Sequence, residues 1–349
     1  MPCTPVPATP LPDLRGTSAL AVLLLTFLCL GGPSFSRAAD APETSLATRV
    51  EQAKRATIGV LQEGQGSEFQ TGRARFSIRG SGFHLRDGYL VTARHVVDVD
   101  ERGKRVIPKE IRVLTNELQE LTAGLVGVNA FVDVALYRVI SEQAALPPIP
   151  FTDRDAAPGD EVFTVGYPLG WGPAVSFGRV GNPNTFLPTV ESRLLQLDLS
   201  ACSGNSGGGL FRADGRLVGM MHAVIQAEAS QEDRRCTRFG FAIPAGLIER
   251  IVTALIQGGH PEFARIGIQM SLVTLGTRRH VAAADVVGPA QAGGVRKGDV
   301  LVSIDDTPIT DPAQLKNYLI EHTQPGQTVR LKVLRGQAEQ TLLVTLGKS

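Results

Sequence analysis

Gly204-Asn205-Ser206-Gly207-Gly208-Gly209 is followed by Leu210-Phe211, by the turn Ala213-Asp214-Gly215 and by the apolar run RLVGMMHAV over residues 216–224. That order decides the fold. A serine set between glycines satisfies the G-x-S-x-G pattern of an α/β-hydrolase elbow, but the elbow requires a helix directly after the serine and an acid-then-histidine order downstream. Here the glycines lead through a short run and a turn into a second β-rich run, which is a hairpin. The esterase alternative is therefore the weaker reading, and Ser206 sits on a loop within a β domain.

Working outward, Ser206 needs partners, because a hydroxyl is a poor nucleophile at neutral pH. An imidazole must take its proton, and a carboxylate must hold the other ring nitrogen to fix tautomer and orientation. Two upstream segments supply them: Val91-Thr92-Ala93-Arg94-His95-Val96-Val97 and Asp133-Val134-Ala135-Leu136. His95 is the candidate base, Asp133 its orienter and Ser206 the nucleophile. Gly204 lets the chain turn so that its own N–H and that of Ser206 aim at one point, an oxyanion hole. Singly these signals are weak. A histidine after a strand is more often structural, and His84, His222, His260, His280 and His322 are read that way. An aspartate opening an apolar run is usually a turn or cap residue. The order His, Asp, Ser within one β-rich domain is what gives the three their weight.

The 349 residues carry 20% charged and 43% hydrophobic side chains with a formal net charge of +1. These values exclude disorder, coiled coil and collagen. They leave no broad basic field for nucleic acid and no polybasic face for anionic lipid. Ala19 to Leu30 is apolar for twelve residues, and Ser36-Arg37-Ala38 follows with small residues at alternate positions. Such a run covers roughly 18 Å against about 30 Å of hydrocarbon, so residues 1–38 read as a secretory signal peptide cleaved after Ala38, with a retained inner-membrane anchor as the alternative. Cys3 and Cys29 leave with it. Cys202 and Cys236 remain, an even pair that suggests one disulfide in an oxidising compartment, two buried thiols being the alternative. Neither belongs to a C-x-x-C pair, so a zinc site has little support, and no metal or cofactor is expected.

From Thr57 to Ile243 short β-rich runs are separated by Gly, Pro, Asn and Asp: FSIRGSGFHL (76–85), YLVTA (89–93), EIRVL (110–114), DVALYRV (133–139), EVFTVGY (161–167), RLLQLDL (193–199) and FGFAI (239–243) join RLVGMMHAV. Their spacing points to an antiparallel barrel or sandwich. Ala245–Gln257 reads as a helix with Leu247, Ile248, Ile251, Val252 and Leu255 on one face, closed by Gly258-Gly259. The segment GGHPE (258–262) is a linker. Beyond it VAAADVV, DVLVSI, the helix-like PAQLKNYLIEH, TVRLKVLR and QTLLVTL make a small α+β unit. The expected domains are 1–38, 39–260 and 261–349.

These segments resemble the catalytic motifs of chymotrypsin-fold serine proteases, and specifically of the HtrA (Deg) family. Gly80-Ser81-Gly82-Phe83 with Tyr89-Leu90-Val91-Thr92 is similar to the family's first catalytic strands, Gly166-Tyr167-Pro168-Leu169-Gly170 to its loop after the barrel crossover, and Gly240-Phe241-Ala242-Ile243-Pro244 to the strand lining the cleft. Ala93, Cys202 and Gly209 stand where the family usually has Asn, Pro and Pro. The resemblance implies a mainly β fold, a double six-stranded β-barrel followed by a PDZ domain. It implies His95, Asp133 and Ser206 as the triad, with oxyanion donors at Gly204 and Ser206. Cys202 and Cys236 resemble the disulfide beside the pocket of digestive enzymes of this fold. Ser200, six residues before the nucleophile, is placed at the base of the specificity pocket, where a neutral group disfavours Lys and Arg; Asp198 is expected to point elsewhere. Small or medium aliphatic side chains are implied at the cleaved bond.

Gly288 to Leu301 (GPAQAGGVRKGDVL) resembles a PDZ domain of the same family. Ile266, Gly267 and Ile268 then take the place of the loop that receives a peptide carboxylate, and the next strand can add a peptide strand. Arg265, in place of an aromatic or aliphatic residue, is expected to face solvent. Of Leu315 and Leu319, one is expected to wall the groove and one to pack the core. The family implies a periplasmic endopeptidase acting on unfolded or damaged polypeptides through an acyl-enzyme, C-terminal peptides at the PDZ groove, and a homotrimer. A catalytically silent, chaperone-like scaffold is the alternative. The loop between Gln62 and Arg79 is too short for the inter-ring insert of the family's cages.

Overall fold

A computed structural model describes residues 45–63, 69–71, 74–141, 146–185, 187, 192–224, 236–259 and 261–348. The segment read as a signal peptide lies outside the described residues, as does part of the loop between Gln62 and Arg79.

Six antiparallel strands, Thr57–Glu63, Ala74–His84, Tyr89–Ala93, Glu110–Thr115, Glu120–Asn129 and Val134–Val139, form a first barrel that closes where Thr57–Glu63 pairs with Ala74–His84; the short strand Phe69–Thr71 extends it. A second closed barrel uses Glu161–Gly166, Ala174–Thr185, Leu194–Cys202, Gly209–Arg212, Leu217–Val224 and Cys236–Pro244. Alternation drives both. In Leu194–Cys202 the side chains of Leu195, Leu197, Leu199 and Ala201 point inward and are buried, while Asp198 and Ser200 are exposed, as a two-residue period demands. Those inward residues build a core of the second barrel. A larger core joins the barrels and contains Phe83 and Tyr137 beside Phe163 and Phe211.

Helix Ala245–Ile256 buries the five apolar residues read from its periodicity. It packs on the first barrel: a Cβ on Gly127, in strand Glu120–Asn129, would lie 2.8 Å from the Leu255 side chain. The helix that ends the second barrel therefore straps it to the first. Helix Leu46–Ala56 is not apparent in the sequence because its buried positions are only Ala53 and Ala56, too small to give a hydrophobic stripe; Ser45 caps it through the Thr48 N–H at 3.2 Å.

The C-terminal unit is a sheet of Ile268–Leu275, Arg278–Val286, Val300–Ile304, Thr328–Arg335 and Ala338–Thr345, with helices Gly288–Ala292 and Pro312–His322. Asp311 caps the second helix by accepting from the N–H groups of Ala313 and Gln314 at 2.8 and 3.0 Å. Ile266, Val281, Ile304, Leu315, Leu331 and Val344 belong to its own core. Among the described residues no helix is long and apolar enough to cross a membrane.

The unit is clamped to the barrels at the end of helix Pro312–His322. Arg193 Nε and Nη2 donate to the two carboxylate oxygens of Glu321 at 2.7 and 2.6 Å, with both side chains almost wholly buried. Burial opposes the Arg193 charge, but Glu321 outweighs it and raises the guanidinium pKa above its usual value. Arg250 donates to the carbonyls of Ile320 and Thr323. Removing one member of a buried pair strands the other's charge. Glu321→Ala is therefore expected to cost about 3 kcal/mol, read as a fall in the urea midpoint. A change within about 0.5 kcal/mol, the size of an ordinary surface substitution, would show that the clamp does not hold.

Candidate active site

Strand pairing brings His95 and Asp133 together. Ala93 lies opposite Val134 and Thr92 opposite Ala135, so the residue before the Val134–Val139 strand meets the one-turn helix Arg94–Val97 that continues the Tyr89–Ala93 strand. Asp133 adopts φ +62°, a left-handed conformation that aspartate tolerates better than most residues. Its backbone carbonyl accepts from Arg94 N–H at 2.9 Å, Oδ1 accepts from His95 N–H at 2.9 Å, and Oδ2 lies 2.6 Å from His95 Nδ1. The ring and main chain of His95 are thus both fixed by one carboxylate.

Ser206 comes from the second barrel. Its loop precedes strand Gly209–Arg212, whose pairing with Leu217–Val224 sets Gly209 opposite Met220. Gly207 N–H then donates to Met221 O at 2.7 Å, and Ser206 Oγ donates to the next carbonyl, His222 O, at 3.1 Å. The structure contains no hydrogen bond from Ser206 to His95. The N–H groups of Asn205, Gly207 and Gly208 are spent on carbonyls, whereas among the described residues nothing accepts from those of Gly204 and Ser206. Gly204 has φ +97°, and a Cβ there would lie 2.2 Å from Tyr167 O; Gly207 has φ +85°, and its Cβ would lie 2.0 Å from Ser81 O. Both glycines are required by this loop, for conformation and for space.

His222 is the residue that the sequence reading did not bring into the site. Its ring Nδ1 lies 2.9 Å from Asp133 Oδ2, and its ring stands edge-on to His95 with centroids 5.6 Å apart. That nitrogen is buried and has no hydrogen-bond partner among the described residues. Burial favours a protonated Asp133, but the two imidazoles beside it, His222 and His95, outweigh it and hold the carboxyl well below the usual carboxylate range. One ligating atom each of His95, Asp133 and His222 lie within 4.8 Å of one another, the one metal-competent cluster among the described residues. No periodicity in RLVGMMHAV separates such a histidine from a structural one. His84, by contrast, is structural as read: its Nδ1 faces Pro147 O at 2.9 Å and its Nε2 accepts from Gly88 N–H.

Residues 80–220 match the trypsin-like peptidase domain and residues 264–346 the PDZ domain. The solved HtrA-type protease AlgW with decapeptide superposes with a TM-score of 0.67 at 25% identity, covering 88% of this chain and 99% of that one. The chain belongs to the HtrA family. Its curated relatives include a probable periplasmic serine endoprotease, DegP-like, of Pseudomonas fulva, 32% identical over 77% of this chain and 55% of the relative. The counterpart in Rhizobium meliloti is 28% identical over 79% of this chain and 54% of the relative. This HtrA-type chain thus spans about half the length of those relatives.

The remaining predicted residues fall as follows. Cys202 and Cys236 are disulfide-bonded, facing each other across paired strands. Ser200 is exposed on the same strand face as Asp198, which Arg238 engages at 3.0 Å; residues 225–235, which lead into the Cys236 strand, lie outside the described residues. Ile266, Gly267 and Ile268 line a cavity of about 910 Å³, with Leu315 and Leu319 opposite. Leu315 and Leu319 both wall this cavity and pack the core, rather than dividing the two roles. Arg265 is exposed at its edge.

Ser81, read in the sequence only as part of the Gly80–Phe83 motif, has a bonding role of its own. Fully buried between two glycines, it accepts Tyr167 N–H at 2.8 Å and donates to Gly204 O at 2.6 Å, while its own N–H donates to Ser206 O at 2.8 Å. Ser81→Ala strips partners from two main-chain groups. The expected cost is about 1–3 kcal/mol, measured by urea denaturation, and a variant as stable as the parent would show that water replaces the hydroxyl.

Proposed function

We propose that the chain is an exported serine endopeptidase in which Ser206 attacks a peptide carbonyl, His95 takes and returns the proton, and Asp133 holds His95. The observation that carries this is the His95 imidazole bound to Asp133 by ring and main chain, beside a serine loop whose Gly204 and Ser206 N–H groups are unspent. For reaction the Ser206 hydroxyl turns from His222 O to His95 Nε2. Its oxygen adds to the carbonyl carbon as the ring accepts the proton, and the negative oxygen is received by the two N–H groups. Collapse expels the amine, which takes the proton from His95 and leaves an acyl-serine. Water, deprotonated by the same ring, then releases the acid and restores the serine.

Unfolded or damaged polypeptides suit a catalytic base whose side chain is exposed at the surface, and C-terminal peptides suit the Ile266-Gly267-Ile268 cavity. The neutral Ser200 favours small or medium aliphatic side chains at the cleaved bond. The relatives named periplasmic support secretion, with residues 1–38 as signal, and a homotrimer is the expected assembly. One observation favours the silent, chaperone-like alternative: the Ser206 hydroxyl is bonded to His222 O and not to the base.

An active-site phosphonate separates the two. Labelling of Ser206 in the parent and none in Ser206→Ala is the expected result; no labelling of the parent with or without a C-terminal peptide would leave the silent scaffold standing. Ser206→Ala should abolish hydrolysis of an unfolded substrate while retaining the fold by circular dichroism. Asp133→Asn, which presents the wrong tautomer, should lower kcat by about 10⁴. Near-parental turnover in that variant would remove Asp133 from the mechanism.

A further inference from the structure

We propose that His95, Asp133 and His222 form a reversible binding site for one divalent transition-metal ion of the zinc class, and that the ion silences the serine by occupying its base. The inhibitory half rests on the proposed function; the binding half does not.

Two imidazoles and a carboxylate are a donor set that suits zinc and its neighbours, and three protein ligands leave a fourth position for water. Magnesium and calcium prefer oxygen ligands throughout and are disfavoured here. The atoms are already gathered, with His95 Nδ1 at 2.6 Å and His222 Nδ1 at 2.9 Å from Asp133 Oδ2. His222 is the decisive member. Its Nδ1 is buried beside the carboxylate without a hydrogen-bond partner, so an ion there costs His222 no contact and displaces only the His95 Nδ1 hydrogen bond to Asp133 Oδ2. The described ion pairs of Asp133 are with these two histidines alone, and no arginine or lysine among them neutralises it. The ion reaches the site past His95, whose side chain is 45% exposed, and is then enclosed by Asp133 and His222, 15% and 11% exposed.

The chemical consequence follows from tautomers. A neutral imidazole has one ring proton. With the ion on His95 Nδ1 that proton resides on Nε2, leaving no lone pair to receive the Ser206 proton. The metal therefore blocks the base without touching the nucleophile, and its removal restores the ring.

The test uses the full chain and zinc chloride alone. Calorimetric titration of Ser206→Ala is expected to show one zinc equivalent per chain that is lost, or weakened at least tenfold, in Ser206→Ala/His222→Phe. Ser206→Ala/His222→Asn serves the same purpose if the phenylalanine does not fold. In the parent, zinc should suppress peptide hydrolysis and a chelator should restore it, magnesium having no effect. His222→Asn, compared with its own zinc-free rate, should resist zinc at least tenfold better. No zinc equivalent in Ser206→Ala, or one that survives both His222 substitutions, would overturn the proposal. An inactive parent that still loses its zinc equivalent on His222 substitution would sink the protease reading and leave the site intact.

Discussion

The active-site geometry depends on a seam between two barrels, and the seam is held at Ser81. Each barrel closes on itself, so nothing in barrel closure alone sets the distance between a serine on one and a histidine on the other. Ser81, on the first barrel, makes three short bonds to main-chain groups of the second: to Ser206 O, Gly204 O and Tyr167 N–H. Thr92 Oγ1 in turn donates to Ser81 O at 2.6 Å. The strand that carries the serine-loop contacts and the strand that leads to His95 are therefore tied at adjacent points. Buried in a low dielectric, each of these bonds is expensive to break, because neither partner can turn to water.

Glycine makes that seam possible. A Cβ on Gly207 would lie 2.0 Å from Ser81 O and one on Gly166 2.9 Å from Ser81 Oγ, both across the barrels, while Gly204 and Gly208 approach main chain of their own barrel as closely. Two barrels can be drawn together to backbone contact only where side chains are missing, and so the glycine density around Ser206 reflects packing as much as loop flexibility. The shared core behind the seam, with Phe83 and Tyr137 on one side and Phe163 and Phe211 on the other, supplies the non-directional part of the same attraction.

How much of this was legible in the sequence follows from the kind of signal each part leaves. Strands with a clear period of two, such as Leu194–Cys202, and the helix Ala245–Ile256 announce themselves through burial. Gly209–Arg212 and Ala174–Thr185 are masked by glycine, asparagine and proline, although pairing on both sides holds them in the barrel. His95, Asp133 and Ser206 were readable because a known chemistry requires those types together. His222 and Ser81 were not, since their importance lies in which residue stands across a strand pair: Met220 opposite Gly209 in the one case, Phe83 opposite Val91 in the other. Register is a tertiary fact, and a single sequence records it only faintly.

One further constraint joins the site to the C-terminal unit. The turn that presents Asp133 begins at Asn129, whose Oδ1 accepts from Val132 N–H at 2.9 Å, and Val132 itself is fully buried. Between them Phe131 turns outward, stacks on Phe263 with centroids 4.7 Å apart and lines the cavity that also contains Ile266 and Leu319. A five-residue turn thus has one side chain on the His95 imidazole and another on the wall of the C-terminal cavity. Val132, buried between Phe131 and Asp133, and the Asn129 bond hold the turn in place. Asp133 is held by Arg94 and His95 beside its own strand, and the turn that presents it reaches the C-terminal cavity through Phe131.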